Sequence, residues 1–285
     1  MKTLFNETQL QFQLQDLTND KITEIKNIVF EKNIVKISNN NRQSSLSDFI
    51  KFSDKFIDCF QVDPSSYLNR PVLDVSETTY EAVKGHDDVL AHGELYSLPS
   101  PPDFLFLFCQ KPAEFGGETT IYDGKNLLNS LSQNTLKIFG SRKIKYIHFW
   151  GINQWSHYFK TNNFDEILNL VEDSLELKLI SADYQNHQIK FEYETFAINE
   201  HGAFVNGIIN ILSRKTQEIN HVLWADDEDF SNEMINEINH ATNKNEILIS
   251  WSAGDVIILN NHMMMHGRKS FAGSRQLAVR FGKVK

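Results

Sequence analysis

The chain has 285 residues, a formal net charge of −9, 41% hydrophobic residues and 23% charged residues, a composition typical of a globular protein. The acidic balance argues against recognition of nucleic acid through phosphates, and the longest strongly apolar run, Phe104–Cys109, is too short to span a membrane. Two cysteines, Cys59 and Cys109, are too few for a disulfide framework, so we expect a reducing, cytoplasmic location.

The first 60 residues predict a helix, a short strand and a second helix. Helical spacing of apolar residues carries both helix predictions: Ile22, Ile25, Ile28 and Val29 for the first, and Leu46, Phe49, Ile50, Ile57 and Phe60 for the second. Residues 33–37 predict the strand, and Ser45 or Ser47 is expected to cap the second helix.

From about residue 90 onward, short apolar runs are separated by Pro, Gly, Asn and Asp. Five runs predict strands: residues 104–109, 119–122, 189–198, 256–259 and 276–281. Two stretches predict intervening helices, one with Ile167, Leu168, Val171 and Leu175, the other with Met234, Ile235 and Ile238. Many short strands with inserted helices predict a mainly β (α+β) fold: a double-stranded β-helix, or cupin-like jelly roll, with flanking helices.

A His-x-Glu pair, His92 and Glu94, is the first candidate for chemistry. Residues i and i+2 of a strand point to the same face, so both side chains can reach one metal ion. His266 follows the predicted strand at residues 256–259 and can supply a second imidazole. Two His and one carboxylate are the ligands of non-haem iron(II) oxygenases. Taken alone, such a pair is more often a set of surface polar residues on a strand.

Further motifs surround these three residues in a fixed order. They are His92-Gly93-Glu94-Leu95-Tyr96, Pro101-Pro102, Phe106–Cys109, Gly116–Thr119, Asp123-Gly124, Gly254–Leu259 and His266-Gly267-Arg268, followed by Phe271, Gly273 and Arg275. In this order the sequence resembles the taurine dioxygenase and clavaminate synthase superfamily from about residue 88 to the C-terminus. The resemblance implies a single catalytic domain over residues 1–285, with a jelly-roll core over about 88–285 and a helical N-terminal cap over about 1–80.

The same resemblance implies roles for five residues. His92, Glu94 and His266 match the iron ligands, which are also the catalytic centre, and Thr119 and Arg275 match the residues that hold the distal carboxylate of 2-oxoglutarate. The implied cofactors are Fe(II), the co-substrate 2-oxoglutarate and O2. Arginine suits this task because its planar guanidinium binds a carboxylate at two points.

Several neighbours compete for these roles. Arg280 lies five positions after Arg275, so it should face the opposite side of a continuous strand, and we expect it at the surface. Arg268 follows the His-Gly turn and is expected to support the loop. His262 stands four before His266, but no helical pattern supports a metal pair there. His86, Asp87 and Asp88 are expected in the loop that approaches His92.

The resemblance implies hydroxylation or desaturation of a small molecule, such as an amino acid or natural-product intermediate, free or carrier-bound, with release of succinate and CO2. Glu94 argues against halogenation, because related halogenases carry a small residue there. Tyr96, Trp155, Phe204, Asn206 and Met264 are candidates for the substrate pocket, with core packing at least as good an interpretation for each. Two alternatives remain open: a non-catalytic metal-binding jelly roll and a zinc hydrolase.

Overall fold

A computed structural model describes residues 8–38, 44–62, 71–74, 76, 78–82, 85–213 and 220–284. Its helices are α1 (Asn19–Lys32), α2 (Leu46–Ser53), α3 (Gly124–Asn129), α4 (Gln133–Ser141), α5 (Ile152–Phe159), α6 (Phe164–Glu172), α7 (Ile208–Leu212) and α8 (Asn232–Lys244). Its strands are β1 (Gln9–Gln11), β2 (Ile34–Ser38), β3 (Cys59–Phe60), β4 (Tyr80–Glu81), β5 (Val89–His92), β6 (Phe104–Lys111), β7 (Phe115–Gly116), β8 (Thr119–Asp123), β9 (Ile144–Trp150), β10 (Leu177–Asp183), β11 (Gln188–Thr195), β12 (Asn220–Trp224), β13 (Ile247–Ile249), β14 (Val256–Asn260), β15 (Met264–Arg268), β16 (Phe271–Ala272) and β17 (Gln276–Lys283). No helix in these ranges is long and apolar enough to cross a membrane.

The largest sheet has the order β1-β2-β14-β6-β17-β3, with β4 also paired to β17. Its central strand β6 is buried on both faces, which explains why Phe104–Cys109 is an unbroken apolar run. Phe106 and Phe108 pack outward against α1 and α2, while Leu105 and Leu107 point to the other face.

A second sheet, β13-β8-β15-β5, lies against that other face. Ile121 of β8 and Met264 of β15 pack with Leu105, Leu107 and Ile257 of the large sheet in one apolar layer. Two facing sheets around a common interior form the jelly roll, so the predicted fold class is confirmed.

The chain between β8 and β13 forms a third unit, which covers the outer face of the second sheet. It contains α3 to α8 and a four-stranded sheet of order β10-β11-β9-β12. Tyr122 and Met265 are outward-facing residues of the second sheet, and they pack into the core of the third unit beside Phe204. The site-bearing strands are therefore buried from both sides.

The N-terminal segment follows its sequence pattern closely. Thr18 caps α1 by accepting a hydrogen bond from the Lys21 N–H, and Ser45 forms a capping box with Asp48 at the start of α2. Helix α2 ends at Ser53, so the predicted extension to Phe60 is wrong. Beyond the helices, β1 and β2 add two strands to the large sheet, beside β14.

Other predicted elements are close to those observed. The five runs predicted as strands correspond to β6, β8, β11, β14 and β17, and the two predicted helices correspond to α6 and α8. Helix α6 stops at Glu172, so Leu175 lies outside it and is fully exposed, contrary to its expected place on the apolar face.

Candidate active site

His92 and His266 face each other across two neighbouring strands. They are direct partners in the antiparallel pairing of β5 with β15, and their ring centroids lie 4.3 Å apart. The pairing carries an irregularity, because His266 pairs with His92 whereas Arg268 pairs with Val89. One extra residue of β5 is therefore accommodated as a bulge, a device that redirects side chains next to functional sites.

A hydrogen bond within β5 favours one tautomer of neutral His92. The Nδ1 atom of His92 lies 2.8 Å from the carbonyl oxygen of Leu90. A carbonyl can only accept a hydrogen bond, so Nδ1 carries the proton and Nε2 retains its lone pair for a metal ion. Such a hydrogen bond to the distal nitrogen is the usual support of a metal-bound histidine.

Glu94 completes the group from a turn rather than from the strand. Strand β5 ends at His92, and Leu95 has a left-handed backbone with φ of 56°. The shared strand face expected for His92 and Glu94 is thus replaced by a turn that reaches the same point. The carboxylate is buried, and its Oε2 lies 3.5 Å from Nε2 of His266.

These three residues fit a metal ion. One ligand atom from each of His92, Glu94 and His266 lies within 4.8 Å of the other two. Within the described ranges this is the only group of three or more His, Cys, Asp or Glu residues with that geometry. The set has two imidazoles and one carboxylate, which leaves coordination positions open for exogenous ligands.

A narrow cavity of about 50 Å³ begins at the two histidines. It runs past Thr119, Arg268 and Arg275 and is otherwise lined mainly by apolar side chains of β5, β6 and β17. Thr119 and Arg268 are direct partners in the pairing of β8 with β15, and Arg275 immediately precedes β17. The cavity wall therefore brings together two of the three metal-ligand candidates, two arginines and a threonine.

The arginine end of this cavity is strongly electropositive. Burial and, to a lesser extent, the neighbouring charge of Arg268 together lower the pKa of Arg275 to about 10. No carboxylate of the described chain pairs with Arg275, whereas Arg268 donates a hydrogen bond to the Asp87 carbonyl oxygen at 2.7 Å. A partly buried cation without a carboxylate partner is costly, so this end of the cavity favours an anionic ligand.

Arg280 does face away from Arg275, but the expectation that it is a surface residue is wrong. It is only 2% exposed, because its guanidinium donates to the Ile50 carbonyl, the Ser53 hydroxyl and the Asp54 carboxylate at the end of α2. It also stacks on the Phe60 ring, with the guanidinium carbon 3.7 Å from the centroid. Arg280 therefore joins the N-terminal segment to β17.

The other competing residues lie outside the metal group. His86 stacks on Phe271, and the Asp87 carbonyl holds Arg268, so both belong to the loop that approaches β5. His262 contacts the Tyr96 hydroxyl through Nδ1 and the Asp103 carboxylate through Nε2, each at 2.8 Å.

His262 lines a much larger cavity of about 790 Å³, which includes none of the three metal-ligand candidates. The larger cavity is therefore not the one that contains the candidate metal ligands. The polar atoms of Tyr96, His262 and Asp103 already have protein partners, since Asn199 donates to Tyr96 and Val284 donates to Asp103. This network satisfies itself without a ligand.

Four of the five residues suggested for a substrate pocket have structural roles, whereas Tyr96 lines the cavity of about 790 Å³. Trp155 is fully buried and donates its indole N–H to the His187 carbonyl, Phe204 lies in the core of the third unit, and Met264 packs between the two jelly-roll sheets. Asn206 holds the active-site turn through its backbone, because its carbonyl accepts the Gly93 N–H at 3.0 Å. None of these residues lines the narrow cavity.

Two residues of the site were not assigned a role from the sequence. Asn261 is buried and hydrogen bonds with the backbone of Glu94, and Trp251 donates its indole N–H to the Thr119 hydroxyl at 3.0 Å. The Asn260-Asn261 pair ends five positions before His266, and this proximity was the available signal for Asn261. The sequence carries no such signal for Trp251, because the position of this residue beside Thr119 depends on the pairing of β13 with β8.

Comparisons with known proteins agree with this architecture. The chain is 23% identical over 224 residues to the dapdiamide synthesis protein DdaC of Enterobacter agglomerans. The aligned region covers 72% of this chain and 67% of that protein. The structure resembles PvcB from Pseudomonas aeruginosa, with a TM-score of 0.59, 11% identity and coverage of 98% and 87% of the two chains. It also resembles a taurine dioxygenase from Burkholderia xenovorans, with a TM-score of 0.57, 13% identity and coverage of 97% and 86%.

A family model described as "Taurine catabolism dioxygenase TauD, TfdA family" matches residues 3–281. The match confirms the resemblance and the predicted class of dioxygenase, which depends on Fe(II) and 2-oxoglutarate and consumes O2. The chain belongs to the TauD/TfdA family of dioxygenases.

Proposed function

We propose that this chain oxidises a small molecule with iron held by His92, Glu94 and His266, and with 2-oxoglutarate held at its distal carboxylate by Arg275 and Thr119. The observation that carries the proposal is the narrow cavity, whose lining includes both histidines of the metal-ligand group and the partly buried Arg275, which has no carboxylate partner among the described residues. A zinc hydrolase or a passive metal site would leave that arginine end without a role.

The chain's own residues bind and orient the reactants. His92, Glu94 and His266 would hold the metal, and Arg275 and Thr119 would hold the co-substrate tail. When bound, iron and 2-oxoglutarate supply the oxidising chemistry, with O2 consumed and succinate and CO2 released. The apolar side chains of Leu107, Leu277 and Val279 in the cavity lining make it less favourable for water.

For the substrate we propose an amino acid or a natural-product intermediate that is hydroxylated or desaturated. DdaC is a dapdiamide synthesis protein, and PvcB is described as an Fe, alpha-ketoglutarate-dependent oxygenase from an isonitrile synthetic pathway. Both relatives support a small molecule of biosynthesis rather than a macromolecule. Delivery on a carrier protein and a cytoplasmic location are further predictions.

Calorimetric titration can separate the two binding events. The metal-free protein is titrated without O2, first with Mn(II) as a redox-stable substitute for iron and then with 2-oxoglutarate. We expect 2-oxoglutarate to bind the wild type only after the metal has been loaded. His92→Ala should abolish metal binding. Arg275→Ala should retain the metal but weaken 2-oxoglutarate about 10–100-fold, because a charge-assisted contact is lost.

Two variants provide matched controls. His201→Ala removes an exposed histidine, and Arg142→Ala removes an arginine that pairs with Asp226 and Glu228 at the surface. Neither should change metal or 2-oxoglutarate binding. Equal 2-oxoglutarate affinity in wild type and Arg275→Ala would contradict the proposed co-substrate site. Metal binding that survives His92→Ala would contradict the proposed ligand set.

A further inference from the structure

Trp251 lies beside the co-substrate end of the narrow cavity. Strand β13 pairs with β8 so that Ile249 is opposite Thr119, and Trp251 follows two residues later. Its indole nitrogen is 3.0 Å from the Thr119 hydroxyl oxygen. The indole ring also packs against the apolar interior between the two jelly-roll sheets.

This contact fixes the direction of the Thr119 hydroxyl. An indole N–H can only donate a hydrogen bond, so the Thr119 oxygen must accept it. The hydroxyl proton of Thr119 is then available to a second partner. Thr119 is 2% exposed, and no acceptor for that proton occurs among the described residues.

The groups around that proton are donors as well. A guanidinium has five N–H donors and no acceptor, and both Arg268 and Arg275 line the cavity with Thr119. A ligand at this end must therefore offer acceptors only and should be an anion. A carboxylate meets that requirement and can accept the Thr119 proton together with Arg275.

We propose that Trp251 is a positioning residue for the co-substrate: its indole N–H holds the Thr119 hydroxyl as a donor to the distal carboxylate of 2-oxoglutarate. This inference rests on the proposed function and extends it by one residue. Without the indole N–H, the hydroxyl can rotate and satisfy its own lone pairs elsewhere, so its hydrogen bond to the carboxylate becomes weaker.

The test uses Trp251→Phe, which keeps an aromatic ring but lacks the N–H. Mn(II)-loaded protein is titrated without O2 with 2-oxoglutarate and, separately, with 2-oxopentanoate, which has the same keto acid head but no distal carboxylate. We expect Trp251→Phe to weaken 2-oxoglutarate about three- to tenfold, as for loss of a neutral hydrogen bond. Affinity for 2-oxopentanoate and for Mn(II) should not change.

A double-mutant cycle separates positioning from packing. In a Thr119→Val background, Trp251→Phe should have no further effect on 2-oxoglutarate affinity, because the hydroxyl it orients is gone. An equal loss for both keto acids, or a full effect that persists in Thr119→Val, would overturn the inference. If wild type and Trp251→Phe bind 2-oxoglutarate equally well, this inference is overturned but the proposed function is not. Wild type that fails to bind it would overturn the proposed function too.

A measurement on the unaltered indole covers the case in which Trp251→Phe does not fold. The chain has four tryptophans, so protein labelled with ¹⁵N-tryptophan and loaded with diamagnetic Zn(II) shows four indole N–H signals. Adding 2-oxoglutarate should shift one of them, and the shift should be absent with 2-oxopentanoate and in Thr119→Val. A spectrum in which 2-oxoglutarate binds without moving any indole signal would overturn the inference.

Discussion

The side chain of Asn261 brackets the backbone of Glu94. Its amide oxygen accepts the Glu94 N–H at 2.9 Å, and its amide nitrogen donates to the Glu94 carbonyl at 3.0 Å. The same nitrogen donates to the Pro102 carbonyl at 2.9 Å. Because Glu94 lies beyond the end of β5, these bonds replace the strand pairing that would otherwise hold a metal ligand in place.

Replacing Asn261 should therefore weaken the metal site. We expect Asn261→Ala to lower metal affinity about 10–100-fold, the range typical of lost outer contacts to metal ligands. Mn(II) titration of the metal-free protein measures the effect. Asn245→Ala is the matched control. Asn245 lies at the end of α8, away from the metal-ligand group, and its side chain donates to the Ala241 carbonyl and to the Ser130 hydroxyl. It should lower stability without changing metal affinity. Equal metal affinity in Asn261→Ala and wild type would show that the bracket is dispensable.

Gly267 should be sensitive to even one methyl group. A Cβ atom there would lie 2.4 Å from the Val89 carbonyl oxygen and 2.6 Å from the Thr120 hydroxyl. Gly267→Ala must therefore push β5 away from β15 at the bulge that orients His92. We expect a loss of about 1–3 kcal/mol in the free energy of unfolding, together with weaker metal binding, measured by urea unfolding and Mn(II) titration.

The control for that substitution is Gly140→Ala on α4. A Cβ atom at Gly140 would meet nothing within 4 Å, and alanine is favoured over glycine in a helix by about 0.5–1 kcal/mol. Gly140→Ala should thus stabilise the fold slightly and leave metal affinity unchanged. Tolerance of alanine at Gly267 with full metal affinity would mean that the bulge does not constrain His92.

Loss of the charge should change the stability of the fold in opposite directions at Arg275 and Arg280. Burial and Arg268 lower the pKa of Arg275, so the folded protein disfavours its charged form relative to the unfolded chain. Below that lowered pKa the charge opposes folding, and this penalty is relieved only as the pH rises through it. At neutral pH we expect Arg275→Met to raise stability by about 1 kcal/mol, or roughly 2–4 °C in Tm, while 2-oxoglutarate affinity falls. A Tm below that of wild type would contradict this.

Arg280→Met should destabilise the protein without affecting the co-substrate. Its guanidinium has hydrogen-bond partners on α2 and at Thr78, so removal leaves buried acceptors unsatisfied. We expect a loss of about 2–3 kcal/mol in the free energy of unfolding and unchanged 2-oxoglutarate affinity. Urea unfolding and calorimetry provide the two readouts. Weaker 2-oxoglutarate binding in a folded Arg280→Met protein would reassign the carboxylate site.

Local patterns were sufficient for much of the fold, whereas the site residues were identified through the resemblance to a known family. Periodicity placed β6, β14 and β17, because apolar runs and alternation record burial on one or both faces of a sheet. Spacing placed Arg275 and Arg280 on opposite sides of β17. It could not show that the outer side is covered by α2, because burial of Arg280 depends on contacts with residues more than 200 positions away.

The remaining features depend on long-range geometry. The bulge in β5 is visible only in its register with β15, and Glu94 reaches the metal group through a turn rather than through strand alternation. Trp251 reaches Thr119 only through the pairing of β13 with β8. No single segment of the sequence encodes these relationships.

The most direct test of the central assignment is the visible absorption that iron(II) gives when 2-oxoglutarate chelates it. Iron(II) and 2-oxoglutarate are added together, without O2, to the metal-free protein. We predict a weak charge-transfer band in the wild type, loss of the band in His92→Ala, a weakened band in Arg275→Ala and no band when Zn(II) replaces iron. Folded wild-type protein that binds iron(II) but shows no band at saturating 2-oxoglutarate would contradict the oxygenase assignment and favour a metal-binding module or a zinc enzyme.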